Sequence, residues 1–206
     1  MERIGIYGGS FNPLHVGHLR AANFAKEAFR LDKLLLIPSC VSCHKETPAG
    51  SPTDAQRLEM LRLATTGCDR LEVCDMELQR GGISYTWETL EQLRQQYPDA
   101  EFYLCMGTDM FLSFHNWKHP ERILAQAALA VLDRGGKLES ELREQTVNLQ
   151  AMGATVLFAD NPVTGISSTD VRRMLAFHCA DAFLPKPVAS YIRSHGLYGT
   201  EQSLKN

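Results

Sequence analysis

Apolar runs of strand length alternate with longer segments of helical spacing along most of the chain. The runs are Ile4 to Tyr7, Lys33 to Ile37 closed by Pro38, Leu71 to Cys74, Glu101 to Met106, Ala128 to Leu132 and Ala154 to Ala159. Between them, apolar positions at turn spacing predict helices over Leu19 to Phe29, Asp54 to near Gly67, Pro120 to Gln126 and Glu139 to Met152. A further helix, with Trp87, Leu90 and Leu93 on one face, is expected to be capped by Ser84 and stopped before Pro98. Ser39 to Thr53 carries Pro48 and Pro52 and reads as a surface loop. The tail is helical: Ser167-Ser168-Thr169-Asp170 precedes Val171, Met174 and Leu175, and Pro187 starts a second helix ended by Gly196. Strands apolar at consecutive positions are covered on both faces, so the pattern predicts an α/β, doubly wound parallel sheet with helices on both sides. One domain is expected over 1–206, with the sheet in 1–160, a helical segment in 161–198 and a loose tail in 199–206.

Composition narrows the class. At 206 residues and 44% hydrophobic content, a single large core needs no disulfide or metal staple. A net charge of −3 argues against a nucleic-acid or membrane surface, while small phosphorylated ligands need only local positive charge. The N-terminus resembles no signal peptide and no apolar run reaches membrane-spanning length, which implies a cytoplasmic protein. Oligomeric state has no sequence signal. Cys40-Val41-Ser42-Cys43-His44 matches the haem-attachment spacing, but such attachment belongs to exported chains. A structural zinc needs about four ligands, and no second Cys/His pair stands at finger spacing. Cys40 and Cys43 are therefore expected to hold neither haem nor zinc, with a redox pair left open beside plain loop thiols.

The chemistry concentrates after the first strand, in Gly8-Gly9-Ser10-Phe11-Asn12-Pro13-Leu14-His15-Val16-Gly17-His18. A strand, a glycine-rich turn and a helix N-terminus together present free backbone N–H groups and the positive helix end to an anion. His15 and His18, three apart, share a helix face and can donate to phosphate oxygens; the alternative is a pair of capping or packing histidines. The two standard glycine-rich phosphate fingerprints are absent from the chain. In a doubly wound sheet, ligands bind beyond the strand carboxyl ends where the winding reverses, so the turn after the fourth strand should face this one. That turn, Gly107-Thr108-Asp109, offers close backbone approach and a carboxylate suited to ribose hydroxyls or to the start of the next helix. Ile166-Ser167-Ser168-Thr169-Asp170-Val171-Arg172 contains a capping box and also sets hydroxyls, N–H groups and Arg172 at one helix end, a fit for a phosphate. Arg173 is expected to face solvent.

These motifs resemble the HxGH nucleotidyltransferase superfamily, which transfers a nucleotidyl group from a nucleoside triphosphate and releases pyrophosphate. Leu14 is a departure, since close relatives often carry a second proline there; it removes no phosphate ligand. Ser84-Tyr85-Thr86, Trp117, His44-Lys45 and the Ile166–Arg172 segment, in order from Ile4 to Tyr198, are similar to the nicotinate mononucleotide adenylyltransferase family. Taken alone, Lys45 is a solvated charge and Trp117 a core residue. The resemblance implies a Rossmann-like fold and transfer of AMP from ATP to nicotinate mononucleotide, with magnesium carried by ATP and held by no protein side chain. Sister transferases acting on nicotinamide mononucleotide, phosphopantetheine or cytidylyl substrates share HxGH, and a non-catalytic nucleotide binder is the rival from another class. The implied catalytic residues are His15, His18, Lys45 and Arg172. ATP would meet Gly8, Gly9, Ser10, Phe11, Gly17, His18, Gly107, Asp109, Arg134, Ile166, Ser167, Ser168 and Arg172. The mononucleotide would meet Asn12, His44, Lys45, Tyr85, Thr86 and Trp117, the tryptophan stacking on the pyridine ring.

Overall fold

Every apolar run found in the sequence is a strand of one parallel sheet. A computed structural model describes residues 1–44, 48–133, 135, 139–161 and 165–203, without the side chains of 201–203. The main strands are β1 (Arg3–Gly9), β2 (Lys33–Pro38), β4 (Leu71–Val73), β6 (Glu101–Gly107), β7 (Ala127–Asp133) and β8 (Val156–Asp160), in the spatial order β4-β2-β1-β6-β7-β8. All five pairings are parallel. The winding thus reverses between β1 and β6, the first and fourth of these strands, as the doubly wound pattern requires. Among the described residues no helix is long and apolar enough to cross a membrane.

Alternation along each strand splits the core in two. Ile4, Ile6, Leu35, Ile37, Phe102, Leu104, Met106, Leu129 and Val131 pack on one face. Their neighbours Leu34, Leu36, Tyr103, Cys105, Ala130 and Leu132 pack on the other. The second face is covered by α1 (Val16–Ala28), α2 (Asp54–Thr65), α8 (Ser168–Ala176) and α9 (Lys186–Ser194), through Ala21, Met60, Val171 and Val188 among others. The first is covered by α4 (Thr86–Gln96), α5 (Thr108–Leu112), α6 (Pro120–Leu124) and α7 (Glu139–Ala151), through Leu90, Phe111, Ile123 and Leu149. Burial on both sides is what makes the central strands β1, β2, β6 and β7 nearly continuously apolar, whereas the edge strands β4 and β8 are less buried.

Several sequence expectations need correction. Helix α1 begins at Val16, not Leu19, because His15 takes the extended backbone of an N-cap. The Ser39–Thr53 segment is not loop throughout: β3 (Val41–Ser42) pairs in parallel with β5 (Ile83–Ser84). Ser84 consequently does not cap α4. Its hydroxyl accepts the Cys40 N–H at 3.0 Å, and Tyr85 precedes the helix without a side-chain cap. The short helices α3 (Met76–Arg80) and α5 carry too few turns to show a period; α3 has no sequence reading, and α5 is anticipated only as the helix beginning at Asp109. All six cysteines are free thiols.

Candidate active site

The crevice opens because two neighbouring strands stop pairing. The β1–β2 ladder runs to Gly9↔Pro38, and β6–β7 runs to Gly107↔Leu132. The β1–β6 ladder ends earlier, at Ile6↔Leu104. The carboxyl ends of β1 and β6 therefore part, and a glycine stands on each lip. A Cβ on Gly107 would meet nothing within 4 Å, and one on Gly8 would meet only the Ile37 carbonyl, at 4.0 Å. Packing does not demand glycine at either position; its effect is to keep the space beyond the strand ends clear.

The turn leaving β1 delivers the two imidazoles to the start of α1. The His15 ring is buried, and the half-buried His18 ring stacks on it with centroids 3.8 Å apart. Phe11 packs edge-on to His18 at 5.2 Å and is itself 1% exposed, so its ring supports the histidine from within the core. The His15 N–H donates to His18 Nδ1 at 3.3 Å. A neutral His18 must then carry its proton on Nε2, which makes the outer edge of the ring a donor.

Helix α8 closes the other side. A Cβ on Gly17 would lie 2.9 Å from His15 Nδ1 and 3.0 Å from Ile166 Cγ2, so glycine is what lets the starts of α1 and α8 meet. A cavity of about 370 Å³ lies there, lined by Val16, Gly17, Arg20, Ile166, Asp170 and Met174 among others. The capping box forms: Ser167 Oγ accepts the Asp170 N–H, and Asp170 accepts the Ser167 N–H. The Ser167 hydroxyl also donates to the Asp170 carboxylate at 2.5 Å, and this bond together with the one from the Ser167 N–H holds the Asp170 carboxyl below its ordinary range. Ser168 Oγ donates to the Pro13 carbonyl at 3.0 Å and Arg172 Nη1 to the Asn12 carbonyl at 2.6 Å. Both side chains thus clamp the turn onto α8 as well as standing at its edge. Arg173 is exposed, as expected.

On the far side, His44 leans on Trp117 with ring centroids 4.6 Å apart, which brings the loop after β2 against the segment following α5. Trp117 also packs on Phe114 at 5.1 Å. Its indole N–H is buried with no hydrogen-bond partner among the described residues. Tyr85 and Thr86 stand half-buried at the head of α4. Asp109 is exposed in the first turn of α5, after Gly107 as N-cap. Lys45 and Arg134 lie outside the described residues.

Three residues that hold this site together were missed in the sequence. Arg57 on α2 is 5% exposed and donates to the Ser10 carbonyl and the Ser39 carbonyl, each at 2.7 Å. It ties the glycine turn to the end of β2, yet in the sequence it is only an arginine near Asp54. Ser51 and Tyr198 both bond the Asn12 side chain, from 39 and 186 residues away. No local signal could have revealed those pairings.

Comparison with known proteins is consistent with this architecture. The profile of the Cytidylyltransferase-like family matches residues 6–174. A protein of Desulfatibacillum aliphaticivorans named "Probable nicotinate-nucleotide adenylyltransferase" is 39% identical over 217 residues, covering 95% of this chain and 99% of that protein. A protein of the same name from Neisseria meningitidis serogroup C is 36% identical over 203 residues, covering 96% and 99%. The structure of Plasmodium falciparum nicotinic acid mononucleotide adenylyltransferase complexed with NaAD superposes with a TM-score of 0.79, over 98% of this chain and 100% of that one. At 17% identity, that likeness is one of fold.

Proposed function

This chain belongs to the Cytidylyltransferase-like family, and we propose that it transfers AMP from ATP to nicotinate mononucleotide, giving nicotinate adenine dinucleotide and pyrophosphate in NAD biosynthesis. The observation that carries this reading is the opening between β1 and β6, with the donor edge of His18 at the start of α1 beside it. A 5′-phosphate oxygen of the mononucleotide attacks the α-phosphorus of ATP, one P–O bond forms, and the bond to the β-phosphate bridging oxygen breaks. The phosphate dianion is already a competent nucleophile, so no general base is needed. The work left to the protein is in-line positioning and stabilisation of charge.

In this reading His18 donates to the α-phosphate as charge develops, and His15 orients it through the stacked ring and the N–H bond to Nδ1. The N-termini of α1 and α8, with Ser167, Ser168 and Arg172, face the leaving pyrophosphate. Asp109 takes ribose hydroxyls, and Trp117, Thr86 and Tyr85 surround the pyridine ring, with His44 and Lys45 near the mononucleotide phosphate. Arg134 belongs to the nucleotide side. The donors gathered at the crevice are imidazoles, a guanidinium and N–H groups, which suit phosphate oxygens better than a metal ion. Magnesium would accordingly ride on the ATP oxygens, where it neutralises charge on the phosphates. A cytoplasmic setting follows from the use of ATP.

The test is pyrophosphate release with ATP and the two pyridine mononucleotides, measured side by side. Turnover should favour the nicotinate form. Equal or reversed preference sinks the nicotinate assignment, and release with neither sinks the pyridine-mononucleotide reading, in favour of a sister transferase with another acceptor or a non-catalytic nucleotide binder.

A further inference from the structure

The Asn12 side chain sits at the junction of three segments far apart in sequence. It is 4% exposed, in the turn between β1 and α1. Its Nδ2 donates to Ser51 Oγ at 2.7 Å, and Ser51 Oγ donates in turn to the Pro48 carbonyl at 2.7 Å. Its Oδ1 accepts the Tyr198 hydroxyl at 2.7 Å. The direction of this chain is forced from one end. The Pro48 carbonyl can only accept, so the single Ser51 proton points to it and a Ser51 lone pair faces Asn12. The Asn12 atom facing Ser51 must therefore be the amide nitrogen. Its oxygen then faces Tyr198, whose hydroxyl must donate. Reversing any one member breaks a bond.

The C-terminal turn is built to deliver that hydroxyl. Tyr198 holds φ 57°, a left-handed conformation a bulky side chain rarely adopts, and Gly199 follows at φ 78°. Thr200 Oγ1 pins the turn by donating to the Leu197 carbonyl at 2.9 Å. Burial pushes the Tyr198 hydroxyl well above its ordinary pKa, so it remains a donor throughout the working range.

We propose that Tyr198 is a positioning residue for the acceptor half of the crevice: through Asn12 it fixes Ser51, and with it the loop after β2 that brings His44 against Trp117. On this view the Asn12 side chain is a strut, with both its polar ends engaged inside the protein. The inference rests on the proposed acceptor chemistry for its kinetic form, but the strut itself does not. Loss of the hydroxyl frees the amide to rotate, Ser51 loses its donor, and the mononucleotide must then order the loop as it binds.

The expected kinetic signature is selective. Tyr198→Phe should raise KM for nicotinate mononucleotide about threefold to tenfold, the size of one lost hydrogen bond, and leave kcat and KM for ATP within about twofold. Ser51→Ala should give the same phenotype, and the double variant should be no worse than either single one, because both cut one chain. Trypsin supplies a readout independent of substrate, since Lys45 is the one Lys or Arg between Ser39 and Thr53. Cleavage there should be faster in Tyr198→Phe than in the parent, at a temperature where circular dichroism shows both folded. Equal rises in both KM values, multiplicative losses in the double variant, or unchanged cleavage would each overturn the proposal. A parent enzyme that ignores nicotinate mononucleotide would refute the acceptor assignment instead, and the cleavage comparison would still decide the strut.

Discussion

Arg57 allows a sharp energetic test, because its contacts differ in kind. Its side chain is 6% exposed and reaches the Ser10 and Ser39 carbonyls at 2.7 Å, while its ion-pair partner Asp54, also at 2.7 Å, is 48% exposed. Hydrogen bonds from a charged donor contribute roughly 1.5–3 kcal/mol each, and a partner left buried without its donor costs a further desolvation penalty. An ion pair with one half-exposed member contributes only about 0–1 kcal/mol. Replacement by methionine keeps the apolar stem and deletes the fork, so Arg57→Met should lose about 3–5 kcal/mol. Asp54→Asn should lose no more than about 1 kcal/mol. For a chain of this size each kcal/mol shifts Tm by about 2–4 °C, so the arginine variant should melt roughly 6–20 °C lower. Arg57→Lys should fall between the two, since one ammonium cannot span both carbonyls with the geometry of a guanidinium. Urea unfolding followed by circular dichroism, on all three variants, gives the comparison. If Asp54→Asn is as damaging as Arg57→Met, the ion pair is the main contribution and the carbonyl argument is wrong.

Two further outcomes separate chemistry from stability. His18→Ala should lower kcat by about 10²–10³, the usual cost of one donor to a developing oxyanion, while leaving the protein folded at the assay temperature; steady-state activity within a few-fold of the parent would remove His18 from the mechanism. Glu77 on α3 is 7% exposed and accepts the Thr89 hydroxyl at 2.6 Å, and burial pushes its carboxyl above the ordinary 4.5. The protonated form is favoured in the folded state, so its stabilising contribution is complete below about 4.5 and is lost as pH rises through the raised value. Glu77→Gln should therefore gain stability relative to the parent between pH 4 and pH 7; a difference in Tm that stays constant over that range would contradict the assignment.

Local and repetitive features were legible in the sequence for a common reason. Burial on both faces makes the central strands β1, β2, β6 and β7 apolar at most positions, so their runs marked the sheet, while the less buried edge strands β4 and β8 were marked by apolar stretches of their own. Ser167 with Asp170 marked the start of α8 within four residues. The two imidazoles were visible because a glycine turn and a helix start are themselves local. Boundaries failed where a neighbour in space overrode local preference. Ser84 was expected to cap α4, but β3 recruited it to the Cys40 N–H. His15 moved the start of α1 three residues earlier than the apolar spacing implied.

What the sequence alone determined, then, is the parallel α/β class and the chemical groups at the strand ends. Tertiary structure alone decided how those groups are held. The Arg172 and Ser168 bonds to the Asn12 and Pro13 carbonyls, the Arg57 fork and the Tyr198–Asn12–Ser51 chain join residues 18 to 186 positions apart. Such pairings leave no periodicity behind. A hydrogen bond depends on where two atoms come to rest, and for distant segments only the packed fold determines that.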